Sequence, residues 1–200
     1  MWTDAERRVL RRLDRPWKIQ DFLGAIPMNF ADTYHSPRLV LRERRASCLE
    51  GALLAAAAFA VHGQRPLLLD LRSIMEDDDH VVALFRYRGR WGAVSQTNHA
   101  VLRYRDPIYR TARELACSYF HEYFVDDGRK TLREYSQPFD LTRPQFRGWM
   151  TTTNDLRDLA DALDASPHTA LLTPAQTRIL RPADPIERRA GAIVAWAPPH

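Results

Sequence analysis

Between Ala46 and Phe59 the chain has almost no polar positions: Ala-Ser-Cys-Leu-Glu-Gly-Ala-Leu-Leu-Ala-Ala-Ala-Ala-Phe. Leu, Ala and Glu are strong helix formers, and Ser47 stands where an N-cap belongs. A helix with no polar face belongs inside a domain, so this one is the expected centre of the fold. Gly63, just after His62, closes it as a left-handed terminator would. Upstream, Val9, Leu10 and Leu13 have helical spacing over 3–14, and Pro16 ends that element. Residues 17–47 read as irregular with short helices, anchored by Trp17, Ile19, Phe22, Leu23, Ile26 and Phe30. A turn over 33–38 leads into a helix at 37–45.

Beyond Pro66 the period changes. Leu67–Leu71 reads as a short apolar strand, 76–79 as an acidic turn, and His80–Tyr87 as a β-branched and aromatic strand. Arg88-Gly89-Arg90 turns the chain and Trp91–Ser95 returns antiparallel. A long helix is expected from about 108 to 124, after Asp106-Pro107. Residues 130–150 are mixed. Asn154 reads as the cap of an amphipathic helix carrying Leu156, Leu159, Ala160 and Leu163. The proline-rich tail is expected to lay short helical pieces over the core. The chain thus divides into a helical region (1–47), a Cys/His core (48–125) and a C-terminal helical wrap (126–200), read together as one domain.

Composition changes this picture little. At 45% apolar and 27% charged, the 200 residues are ordinary for a globular domain. The net charge is +4, and of 29 basic residues only Lys18 and Lys130 are lysine. Arg7, Arg8, Arg11, Arg12 and Arg15 fall on one side of the first helix. With Asp4, Glu6 and Asp14 among them and no aromatic recognition element, they read as a solvated face, and nucleic acid is not an expected partner. Two cysteines, Cys48 and Cys117, make no disulfide framework, and the apolar run 52–61 is too short to span a bilayer. The N-terminus lacks a secretory apolar core, so the expected location is cytoplasmic, away from the membrane.

The chemistry begins with Cys48, in the first turn of the apolar helix. Unpaired N–H groups and the helix dipole there favour a thiolate nucleophile. Thirty-two residues on, His80 opens a strand beside the acidic turn. A cysteine–histidine pair works by the imidazole taking the thiol proton and later protonating the leaving group, with a third polar residue holding its tautomer.

This order resembles the transglutaminase-like superfamily of papain-type cysteine enzymes. The resemblance covers roughly residues 40–100, and Ser-Cys-Leu-Glu-Gly-Ala, Asp-Asp-Asp-His-Val and Gly89-Arg90-Trp91 carry it. It implies an α+β fold with a papain/transglutaminase-like core: a cysteine-bearing helix packed on a small antiparallel sheet, with flanking helices. It places the nucleophile on Cys48 and the general base on His80. The family's aspartate follows after the hairpin, where this chain has Ser95; Asn98 is the nearby residue whose amide carbonyl can orient an imidazole. The family's oxyanion glutamine has no match, since Arg42 is the nearest upstream donor.

The expectation is therefore cysteine-dependent acyl transfer, or amide or peptide hydrolysis, on a peptide, protein or small amide, without a cofactor. The alternative is a catalytically inactive domain of the same type that binds a peptide or protein partner. A divalent-cation site made of Asp77, Asp78, Asp79 and His80 with His99 or His121 is disfavoured, because consecutive residues cannot all face one ion.

Overall fold

A computed structural model describes residues 1–197. Among these residues the chain forms eight α-helices around an open antiparallel sheet of seven strands, a mixed α and β architecture. The first three helices are α1 (Asp4–Arg12), α2 (Pro16–Gly24) and α3 (Pro37–Glu43). The apolar run forms α4 (Cys48–Val61), capped at Ser47, whose hydroxyl accepts from the Glu50 N–H while the Glu50 carboxylate accepts from the Ser47 N–H. Every residue from Leu49 to Phe59 on α4 is buried, as a helix without a polar face requires. Gly63 takes a φ of 77°, where a Cβ would be strained.

The strands are β1 (Leu67–Arg72), β2 (His80–Tyr87), β3 (Arg90–Ser95), β4 (Arg105–Tyr109), β5 (Glu134–Ser136), β6 (Phe139–Asp140) and β7 (His168–Ala170). They run in the order β4-β3-β2-β1-β5-β7, with β6 also pairing β1. The Arg88–Arg90 turn closes β2 onto β3 in the expected hairpin, with Tyr87 opposite Arg90 and Val82 opposite Ser95.

The sheet is covered on both faces. On one side α4 packs with Leu68, Val81, Ala83, Phe85 and Val94. On the other, Leu69, Leu71, Val82, Leu84 and Ala93 pack with Leu115, Ala116, Tyr119 and Tyr123. Side chains alternate along a strand, so β2 feeds both cores at once.

Three expectations needed correction. Residues 108–124 do not form one long helix. Arg105–Tyr109 pairs with β3 as an edge strand, which tolerates Pro107, and only Ala112–Cys117 is helical (α5), followed by a 3-10 turn at Phe120–Glu122. Asn154 does not cap a helix: α6 (Arg157–Asp164) starts later, after Leu156, and has no side-chain cap. The tail does carry short helices, α7 (Pro174–Arg178) and α8 (Pro185–Gly191), but it also supplies β7, which joins the sheet beside β5. No helix among the described residues is long and apolar enough to cross a membrane.

Candidate functional site

Cys48 is the first residue of α4 and half-buried. Burial pushes its thiol up, outweighing the backbone N–H groups of Val81 and Leu49, which favour the charged form; Asp70 and Asp78 repel the thiolate further. The helix start therefore does not deliver the acidic thiol expected from its position.

His80 opens β2 as anticipated, but its side chain belongs to the other core. Val81, next along the strand, packs toward α4, whereas His80 shares its face with Val82 and Leu84 and lies edge-on to Tyr119, the ring centroids 6.4 Å apart. Its Nε2 sits 2.7 Å from the Ser95 hydroxyl, whose one hydrogen is directed at the Leu102 carbonyl, also at 2.7 Å. The imidazole must then donate through Nε2 to Ser95. Burial, reinforced by Arg105 and His99, holds its pKa down to about 4, against the pull of the Leu102 carbonyl. A neutral His80 thus ties β2 to β3 and to the loop in which Leu102 takes a φ of 61°.

The four sequence candidates are only partly brought together. His80 and Ser95 meet; the groups bearing on the Cys48 thiol are the Val81 and Leu49 N–H groups, Asp70 and Asp78, with neither His80 nor Ser95 among them. Asn98 is occupied elsewhere: its amide donates to the Trp196 carbonyl at 2.9 Å, and its Oδ1 accepts from the Trp196 N–H at 2.8 Å. It pins the C-terminal segment and does not orient an imidazole. The acidic turn does not assemble with His80 either. Asp77 accepts from the Thr131 hydroxyl, and the Asp78 carbonyl accepts from the Tyr123 hydroxyl.

Of the two carboxylates that act on the thiol, Asp70 is the buried one. It stands in β1 opposite Val81 and is 3% exposed. Its N–H donates to the Ser136 hydroxyl at 2.9 Å, and its Oδ2 lies 3.0 Å from His168 Nε2. His168 Nδ1 donates to the Ser166 carbonyl at 2.6 Å, which fixes the ring. Burial raises the Asp70 pKa to about 6, opposed by His168 and aided by the nearby Asp79. Asp70 was legible as a lone carboxylate inside an apolar strand. His168 carried no signal, because only the fold of the tail brings it to the sheet.

An open groove of about 760 Å³ lies away from these residues, past the C-terminal end of α4. Trp2, Phe146, Trp149 and Met150 line it together with Arg65, Arg143 and Arg147. Arg65 is paired with Asp140 and Arg143 lies over the Phe139 ring, while Arg147 is exposed.

Comparison with protein-family models gives no match, and comparison with curated proteins gives none either.

Proposed function

We propose that this chain is a catalytically inactive domain of the transglutaminase-like kind that binds a peptide or protein partner. The observation that carries the reading is that His80 is engaged by the Ser95 hydroxyl beside Tyr119, with the thiol pushed up and the imidazole neutral. An imidazole of pKa about 4, donating to Ser95, is a poor base for the thiol proton and carries no charge to stabilise a thiolate. The aromatic and arginine-bearing groove supplies a surface for the partner, and its cationic rim suits a peptide with acidic and apolar side chains.

Cysteine-dependent acyl transfer is the second reading, and one observation favours it. The Asp70–His168 carboxylate–imidazole pair stands on the Cys48 side of the sheet, so a base other than His80 is near the thiol.

One measurement separates the two: the pH dependence of iodoacetamide alkylation at Cys48 in the wild type, His80→Ala and His168→Ala. The binding reading expects an apparent pKa at or above the free-thiol value of about 8.5 in all three. A wild-type pKa well below that, lost in either variant, establishes an ion pair and returns the chain to the acyl-transfer class. Binding itself is tested by phage selection of peptides on the wild type. Selected peptides should lose affinity on Arg147→Glu; selection that enriches nothing over background refutes the partner.

A further inference from the structure

Three carboxylates from distant parts of the chain converge at one corner of the sheet: Asp70 of β1, Asp79 just before β2, and Asp164 at the end of α6. Each offers one oxygen that lies within 4.8 Å of those of the other two. Asp79 and Asp164 are exposed; Asp70 is buried.

Hydrogen bonding sorts the oxygens. Asp79 Oδ1 accepts from the Ser73 N–H at 2.7 Å and from the Ser73 hydroxyl at 3.2 Å. Asp164 Oδ1 accepts from Arg72 Nη2 at 2.8 Å. Asp70 Oδ2 faces His168 at 3.0 Å. Among the described residues, Asp79 Oδ2 and Asp164 Oδ2 have no such partner, and Asp70 Oδ1 is fully buried without one. One oxygen of each carboxylate is held and the other is spare.

A buried carboxylate oxygen without a donor is unfavourable, and two further carboxylates beside it leave this corner in need of a compensating positive charge. Arg72 supplies part of it, donating to Asp164 Oδ1. We infer that Asp70, Asp79 and Asp164 form a binding site for a divalent, oxygen-preferring cation of the Mg²⁺, Mn²⁺ or Ca²⁺ class. Three carboxylate oxygens with water at the remaining positions make a shell for such an ion, and the absence of thiolate or imidazole from the three ligands disfavours zinc or copper. His168 and Ser73 stand one step out, holding two of the ligands in place. The site rests on the carboxylates alone and does not depend on whether Cys48 reacts.

The test is Mn²⁺ titration of the full chain by EPR, reading the loss of the free-ion signal, with Mg²⁺ and Ca²⁺ as competitors. The expected result is one Mn²⁺ per chain, displaced by an excess of a competitor. Asp79→Asn and Asp164→Asn, both on exposed residues, should each weaken binding about tenfold or more. Asp158→Asn, at the other end of α6, should leave it unchanged, and circular dichroism checks that each variant is folded. No binding at about 1 mM Mn²⁺, the weak end of protein cation sites, overturns the proposal. So does binding that survives both Asp79→Asn and Asp164→Asn.

Discussion

Glu50 is a fully buried carboxylate at the start of the cysteine helix. Its carboxylate is 0% exposed and accepts five close hydrogen bonds. Asn29 Nδ2 reaches both oxygens at 3.1 and 2.9 Å, the Thr33 hydroxyl lies at 3.0 Å, and the His35 and Ser47 backbone N–H groups lie at 2.8 Å. One side chain thereby caps α4 and ties the 29–35 loop to the start of the cysteine helix. Replacing it by Ala strands donors from Asn29, Thr33, His35 and Ser47 in a dry site. At about 1–3 kcal/mol for each unsatisfied group, less whatever relaxation recovers, the expected loss is about 4–5 kcal/mol.

Glu50→Gln keeps the shape and the three bonds to Oε1. Its amide then points N–H groups at the Ser47 N–H and the Asn29 amide, setting donor against donor. The cost of two lost charge-assisted bonds is about 3 kcal/mol. Urea unfolding followed by far-UV circular dichroism measures this. With a slope of about 3 kcal/mol per M, the Gln variant should unfold about 1 M earlier. A Gln midpoint indistinguishable from wild type would refute the reasoning, because the carboxylate would then contribute no more than its shape.

Two buried groups impose opposite pH dependences on stability. His80 falls from about 6.5 unfolded to about 4 folded, so the unfolded chain binds the extra proton and stability rises with pH between those values, by about 3 kcal/mol at 1.36 kcal/mol per unit. Asp70 rises from about 3.9 to about 6, so the folded chain binds the extra proton and stability falls by about 3 kcal/mol over nearly the same window. Chemical denaturation in EDTA from pH 4 to 7 should give a nearly flat wild-type profile, a rise with pH in Asp70→Asn and a fall in His80→Gln; parallel profiles would contradict both assignments. Gly92→Ala would place a Cβ 2.4 Å from Phe85 Cζ and 2.7 Å from the Arg105 carbonyl, in the strand between β2 and β4. The backbone carbonyl cannot yield, so overpacking of about 2 kcal/mol should lower Tm by roughly 4–8 °C in a thermal scan, and an unchanged Tm would show that β4 shifts freely.

Much of the local structure was legible. The Cys48–Val61 helix, its Ser47 cap, its Gly63 stop and the His80–Ser95 hairpin all follow from interactions within a few residues: helix propensity, a capping hydroxyl, a turn glycine and a β-branched run. The helix expected over 108–124 formed only in part: Ile108 and Tyr109 were taken into the strand Arg105–Tyr109 beside β3, and the helix was confined to Ala112–Cys117.

The site depended on information that the sequence by itself does not hold. His80-Val81-Val82-Ala83-Leu84-Phe85 is apolar at nearly every position because both faces of β2 are buried, so its pattern names no inward or outward side. With a period of two, one residue decides whether His80 meets the cysteine helix or Tyr119, and only the packing of α4 on Val81, Ala83 and Phe85 made that choice. The meeting of Asp70 with His168, 98 positions later, and with Asp79 and Asp164 is likewise tertiary. Local physics determined the elements and their ends; which side chains share a face was decided by how those elements bury their apolar surfaces together.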